Sequence, residues 1–152
     1  MTDDQLSSAL QAEYLQLQKT IEDFDSRALT IKAWSVSFSL VAVAGAFVSN
    51  SDVVLLVASL SALLFWLLEG TWKGFQYAYY RRSKSIEAHF RGDVSLPAPF
   101  QIGTTWSASW REGGVRRIAW ILTWPQVAMP HLAVCILALA IFVLVRQKVI
   151  QL

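Results

Sequence analysis

Two charge-free apolar runs, Ala33–Val48 and Val53–Leu68, stand on either side of the polar tetrad Ser49-Asn50-Ser51-Asp52. With its flanks, each run approaches the roughly 20 residues that cross a hydrocarbon core as a helix. A four-residue gap leaves room only for a tight turn. The pattern therefore predicts a transmembrane helical hairpin over 32–71.

A different periodicity precedes the hairpin. From Asp3 to Leu29 there is no Pro or Gly, and Asp3 or Asp4 is placed to cap a helix. Leu10, Tyr14, Leu17, Ile21, Phe24, Ala28 and Ile31 recur at alternating gaps of four and three. Such spacing is an a/d seam, with Glu13, Gln16, Lys19, Glu22, Asp23 and Arg27 on the other face. Two readings are open for residues 1–31. Leu10, Tyr14, Leu17, Ile21 and Phe24 form an oligomerising coiled coil, or one amphipathic helix packs on the chain's own central segment.

The third apolar stretch, Ile118–Val145, holds His131 but no Asp, Glu, Lys or Arg. One helix of that length is longer than a bilayer core requires. Pro125 and Pro130 divide it, because each removes a backbone donor and disfavours helix in the residue before it. Ile118–Trp124 is assigned to the interface and the span to about Met129–Val145, within a third membrane segment over 125–148. A re-entrant third segment is the lesser option.

Residues 72–124 have a mixed pattern. Helix is expected to continue from Trp72 to Phe90, with Phe75, Tyr79, Ile86 and Phe90 on one face. Pro97, Pro99, Gly103, Gly113 and Gly114 then interrupt the pattern. Trp106 and Trp110, four apart, suit a short helix dipping into the interface. All seven tryptophans fall near the expected cytoplasmic ends or in this segment, as an aromatic belt on one membrane face requires. The fold class is thus all-α and polytopic.

Composition supports this reading. Charged residues make up 16% and hydrophobic ones 55%, against roughly 25% and 45–50% in soluble domains. Lys19, Arg27 and Lys32 precede the hairpin, and Lys73, Arg81, Arg82, Lys84, Arg91, Arg111, Arg116 and Arg117 follow it. The turn has no cation and the tail has Arg146 and Lys148. By the positive-inside rule the N-terminus is cytoplasmic and the C-terminus periplasmic. The beginning of the chain lacks a basic n-region and an apolar h-region, so no cleavable signal peptide is expected. A net charge of +2 argues against nucleic acid as a partner.

Candidate chemistry is sparse. Ser35, Ser39, Ala42 and Ala46 form a small-residue stripe on the first span. It serves helix packing, or it lines a water path. Glu69 and Lys73 are four apart at the membrane boundary, as an interfacial pair or as an intramembrane acid of functional weight. Arg81 and Arg82 are expected at headgroup depth, as a positive-inside anchor or a lipid contact. His131 and Cys135 are too few for a metal site, and a buried histidine is expected instead. No nucleotide-binding, nucleophile-elbow, CxxC or HExxH motif occurs, so neither enzyme activity nor a cofactor is expected.

The segments F-D-S-R-A-L-T-I-K-A-W-S (Phe24–Ser35) and F-W-L-L-E-G-T-W-K-G-F-Q-Y-A-Y-Y-R-R-S-K-S-I-E-A-H-F (Phe65–Phe90) resemble small bacterial inner-membrane proteins of unassigned function. More broadly, a hairpin with cytoplasmic helices is similar to the SLATT-type effectors of bacterial conflict systems. The resemblance covers about half the chain. It implies an oligomeric effector that disrupts the bilayer on a signal, in antiphage defence. This chain departs from a two-span effector by its third span. It also carries no recognisable sensor domain, so a separate cytosolic sensor is implied as a partner. The alternative is a non-conducting anchor or scaffold that recruits a cytosolic protein.

Overall fold

A computed structural model describes residues 2–93 and 98–151. It is all-helical: α1 Asp3–Ser49, α2 Val53–Phe90, α3 Ile102–Leu122 and α4 Pro125–Arg146, with no strand among the described residues. Three of these, α1, α2 and α4, are long and apolar enough to cross a membrane. The molecule is therefore a polytopic helical membrane protein. Pro97, expected to help end the helical pattern, lies outside the described residues.

Each helix end has a local cause. Thr2, not Asp3 or Asp4, caps α1. The Gln5 amide donates to Thr2 Oγ1 at 3.3 Å and Gln5 Oε1 accepts from the Thr2 amide at 3.0 Å. This is a reciprocal capping box, with both aspartates left in the first turn to face the positive dipole end. α1 then runs 47 residues, about 70 Å, through both the heptad segment and the first apolar run. It stops where Asn50 takes a left-handed φ of 50°, which Asn tolerates better than most residues. Gly92, at φ 82°, ends α2 in the same way.

Pro125 divides the third apolar stretch as expected, and Pro130 does not. Pro125 opens α4 at its first position, after an extended Trp124. Pro130 lies inside the helix and does not break it. As the sixth residue of α4 it forfeits one intrahelical bond, to the Gln126 carbonyl, and the helix continues past it. The third span is thus Pro125–Arg146, starting four residues before the expected boundary. The region read as broken by glycines holds a helix, α3, kinked at Gly114 (φ 44°, ψ −147°).

The chain divides into two units. Unit 1 comprises residues 1–27 and 72–118, and unit 2 comprises 28–71 and 119–152. Residues 1–27 of the heptad helix and 72–118 of the central segment thus belong to one unit. In unit 1, Leu10 and Leu17 of α1 bury against Ile86 of α2, flanked by Leu6, Tyr14, Tyr79 and Ile102. Aromatic rings extend this core: Phe24 lies 4.8 Å from Trp72, and Phe75 lies 4.8 Å from Trp110.

Unit 2 is built on small residues. Ser35, Ser39, Ala46, Ala58, Ala62 and Ala138 are all fully buried. Absent bulky side chains let helices approach closely, which is how apolar helices associate in lipid. Val134 and Cys135 of α4 pack on Ala62, with Val36 and Leu63 beside them. The outward positions are large and apolar, among them Phe38, Val41, Leu60, Leu64 and Ile136. That inside-out arrangement suits a hydrocarbon solvent.

Candidate functional site

One carboxylate gathers three helices of unit 2. Glu69, near the end of the apolar part of α2, is fully buried. Lys32 Nζ of α1 donates to Glu69 Oε1 at 2.6 Å, and His131 Nε2 of α4 lies 2.9 Å from Oε2. The other ring nitrogen, His131 Nδ1, is 2.7 Å from Ser35 Oγ. Lys32, Ser35 and Ser39 are spaced three and four apart, so they share one face of α1. Below this cluster, Ser59 Oγ of α2 and Cys135 Sγ of α4 are 3.0 Å apart.

The electrostatics follow from the donor set. A carboxylate accepts only, so it fixes Nε2 as a protonated nitrogen of His131. In the neutral ring, Nδ1 then accepts from the Ser35 hydroxyl. Lysine, carboxylate and neutral imidazole sum to zero charge, the arrangement least costly away from water. An imidazolium would leave the cluster with a net positive charge. Ser39 Oγ is buried and has no hydrogen-bond partner among the described residues. An unpaired buried hydroxyl costs about 1–3 kcal/mol.

The end of α3 packs on α2 on either side of Glu69 in sequence, at Trp66 and Gly70. Trp66 Nε1 donates to the Leu122 carbonyl at 3.1 Å. Gly70 follows Glu69 directly, and a Cβ added there would lie 2.4 Å from Leu122 Cδ2. Any larger residue there requires the Leu122 side chain to shift.

The other sequence-predicted residues fall elsewhere. Glu69 does not pair with Lys73. Lys73 bonds Asp25 and Gln76 in unit 1, because partners on α1 and on its own helix face it there. Of the heptad seam, Leu10, Leu17 and Ile21 are buried, and Leu10, Tyr14 and Leu17 pack on or beside Ile86. Phe24 packs on Trp72 and Tyr79. The seam thus covers the chain's own α2. Of the small-residue stripe, Ser35, Ser39 and Ala46 are buried and Ala42 is half-buried.

Arg82 is not a headgroup cation. It is 2% exposed and bonds Glu13, which the heptad pattern placed on the polar outer face. Arg81 is exposed and pairs with Glu112 at 2.6 Å. Trp106 and Trp110 stack on each other at 5.9 Å, and Trp106 Nε1 donates to the Phe75 carbonyl. They belong to the aromatic core of unit 1.

Lys32 and His131 were the partners that sequence reasoning missed. The signal was a cation at the edge of an apolar run and the sole imidazole in another, but they bond an acid 37 and 62 residues away. Cys135 and His131 are each held by a different serine, Ser59 and Ser35. No family model matches the chain, and comparison with curated proteins and with solved structures gives no significant match.

Proposed function

We propose that the chain is a membrane effector in its closed state, a bacterial inner-membrane protein whose hairpin is latched to α4 through Glu69. The observation that carries this reading is a fully buried carboxylate bonded from α1 and α4 at once. Ionisable residues at membrane depth are costly, and a passive anchor has no need of them. Breaking one partner of a buried pair costs about 3–5 kcal/mol, because a charge is left uncompensated. Loss of the Lys32 contact therefore shifts helix packing by more than a hundredfold in equilibrium terms.

Unlatching exposes a continuous polar track. Lys32, Ser35 and Ser39 follow one another down α1, and the unpartnered Ser39 hydroxyl gains a hydrogen bond if water enters. In this reading the N-terminus is cytoplasmic and the C-terminus periplasmic, from the distribution of Lys and Arg. Oligomers form on opening, since the heptad seam is occupied in the closed chain. The resemblance to SLATT-type effectors supplies the setting, antiphage defence, and a cytosolic sensor as the trigger.

A scaffold reading is favoured by one feature of unit 1. A groove of about 730 Å³ lies among α1 and α2 residues that include Gln11, Tyr14, Glu87 and Phe90. It is large enough for a partner's side chains.

The test is membrane potential and dye entry in bacteria after induced expression of the wild type, Glu69→Ala and Glu69→Ala/Ser39→Leu. Depolarisation by Glu69→Ala that Ser39→Leu suppresses, at equal protein in the membrane, supports the effector. An intact potential in all three overturns it and leaves the scaffold.

A further inference from the structure

Unit 1 contains a small cavity that shares no residue with the Glu69 network. It has a volume of about 250 Å³. That is below the roughly 300 Å³ at which drug-sized pockets begin, so it suits a compact group. α2 supplies Tyr77, Tyr80, Arg81 and Lys84 to its wall. From α3 come Ser109, Glu112 and Arg117.

Arg117 is held in place from three directions. Its guanidinium lies 5.1 Å from the centroid of the Tyr77 ring. Its Nη1 donates to Ser109 Oγ at 3.3 Å. Its plane also lies against Gly113, where an added Cβ would sit 2.2 Å from Cζ and Nε. Any side chain at 113 displaces this arginine. A surface cation with no ligand to meet needs no such seat, because a flexible side chain keeps its rotamer entropy in water.

The remaining groups fit an anion. Lys84 is exposed, with no ion-pair partner among the described residues. Arg81 holds Glu112 in an exposed pair that an anion is able to exchange. Glu112 is the acid against an anion. Its carboxyl sits below the usual range through the Arg81 hydrogen bond and charge, so it stays ionised. Three cations against one carboxylate leave the cavity positive. Burial, then the Asp25 charge, push the Tyr80 hydroxyl up, so at neutral pH it is a donor.

We propose that this cavity binds the phosphate group of a phosphate ester, with Arg117, Lys84 and Arg81 as cationic partners and the Ser109 and Tyr80 hydroxyls as further donors. Guanidinium and phosphate match in planar, two-point geometry. The ester is a lipid headgroup or a soluble metabolite. Arg117 precedes α4 by eight residues, with Trp120 and Trp124 between.

The full-length chain in detergent is titrated with phosphatidylglycerol, phosphatidylcholine or glycerol 3-phosphate, and bound molecules are counted by native mass spectrometry. Phosphatidylglycerol is expected to be retained over phosphatidylcholine. Arg117→Ala is expected to weaken retention about fivefold or more. Gly113→Ala keeps every charge and favours helix, yet is expected to weaken retention comparably by displacing the guanidinium. Circular dichroism checks that both variants fold. Displacement of the lipid by glycerol 3-phosphate, or its binding alone, supports the site with a soluble ester as occupant. Retention of the lipid against it supports a headgroup. Wild-type binding by Gly113→Ala alongside weak binding by Arg117→Ala means a diffuse basic surface and overturns the proposal. So does the absence of any preference for phosphatidylglycerol together with no binding of glycerol 3-phosphate.

Discussion

Arg82 closes on Glu13 at two points, Nε 2.8 Å from Oε1 and Nη2 2.9 Å from Oε2, with both side chains almost fully buried. The same carboxylate accepts the Phe100 amide at 2.8 Å, and Arg82 also donates to the Ala98 carbonyl at 3.3 Å. α1, α2 and the segment entering α3 thus meet on one ion pair. Phe100 adopts a left-handed φ of 65° where its amide reaches Glu13.

Removing either partner leaves the other charge buried. Glu13→Ala and Arg82→Ala are each expected to destabilise unit 1 by about 3–5 kcal/mol. The double variant is expected to lose less than the sum, since it leaves no orphan charge. Hydrogen exchange of α1 amides in the full chain measures this. Additive losses would show that the two side chains are not coupled.

Acid should weaken the same unit. Burial raises the Glu13 carboxyl, but the Arg82 hydrogen bond and charge and the Phe100 and Gln101 amides outweigh it, leaving it below its ordinary value of 4.5. A carboxyl depressed in the folded state contributes stability above its unfolded value and loses it as pH falls through the folded value. The thermal midpoint of the full chain should therefore begin to drop below about pH 5. Glu13→Gln should already be destabilised at neutral pH and should lack this component of the drop. An acid slope unchanged by Glu13→Gln would assign it to other carboxylates.

Gly70 admits Leu122, whose Cγ would be 2.8 Å from a Cβ at position 70. Gly70→Ala should cost about 1–3 kcal/mol through overpacking. Leu122→Ala, added to it, should recover part of that loss by making room. Thermal unfolding of the four proteins in one detergent gives the cycle. A neutral Gly70→Ala would mean that the leucine swings aside freely.

Cys135, the chain's one cysteine, is buried against Ser59 and reports on closure. Alkylation by a small maleimide should be slow in the wild type, as for buried structural thiols. In Glu69→Ala it should quicken by about tenfold or more, the factor given by 1.4 kcal/mol of weakened closure. Equal rates would show that the Glu69 contacts do not hold α4.

Periodicity and charge-free length are local properties, and what they determine was legible. The hairpin, its tight turn at Ser49–Asp52, the third span and the helical N-terminal segment all follow from the order of apolar residues. Backbone groups in lipid have no partner but their own helix, so an apolar run of that length has few alternatives. The a/d seam was equally legible as a face, but a face does not name what covers it. Tertiary structure decided that Leu10 and Leu17 meet Ile86 of the same chain.

Charged residues were the least legible. The heptad places Glu13 outward, and the i, i+4 rule pairs Glu69 with Lys73. Yet Glu13 bonds a residue 69 positions away and Glu69 bonds one 37 positions away. A local pair is a fair expectation where water surrounds both groups. Inside a fold, burial makes an unpaired charge so costly that the partner is whichever opposite charge the helices bring near. Sequence determined which segments are helical and which of them suit a membrane. Only packing decided which charges are buried together, because that depends on contacts between residues far apart in the chain.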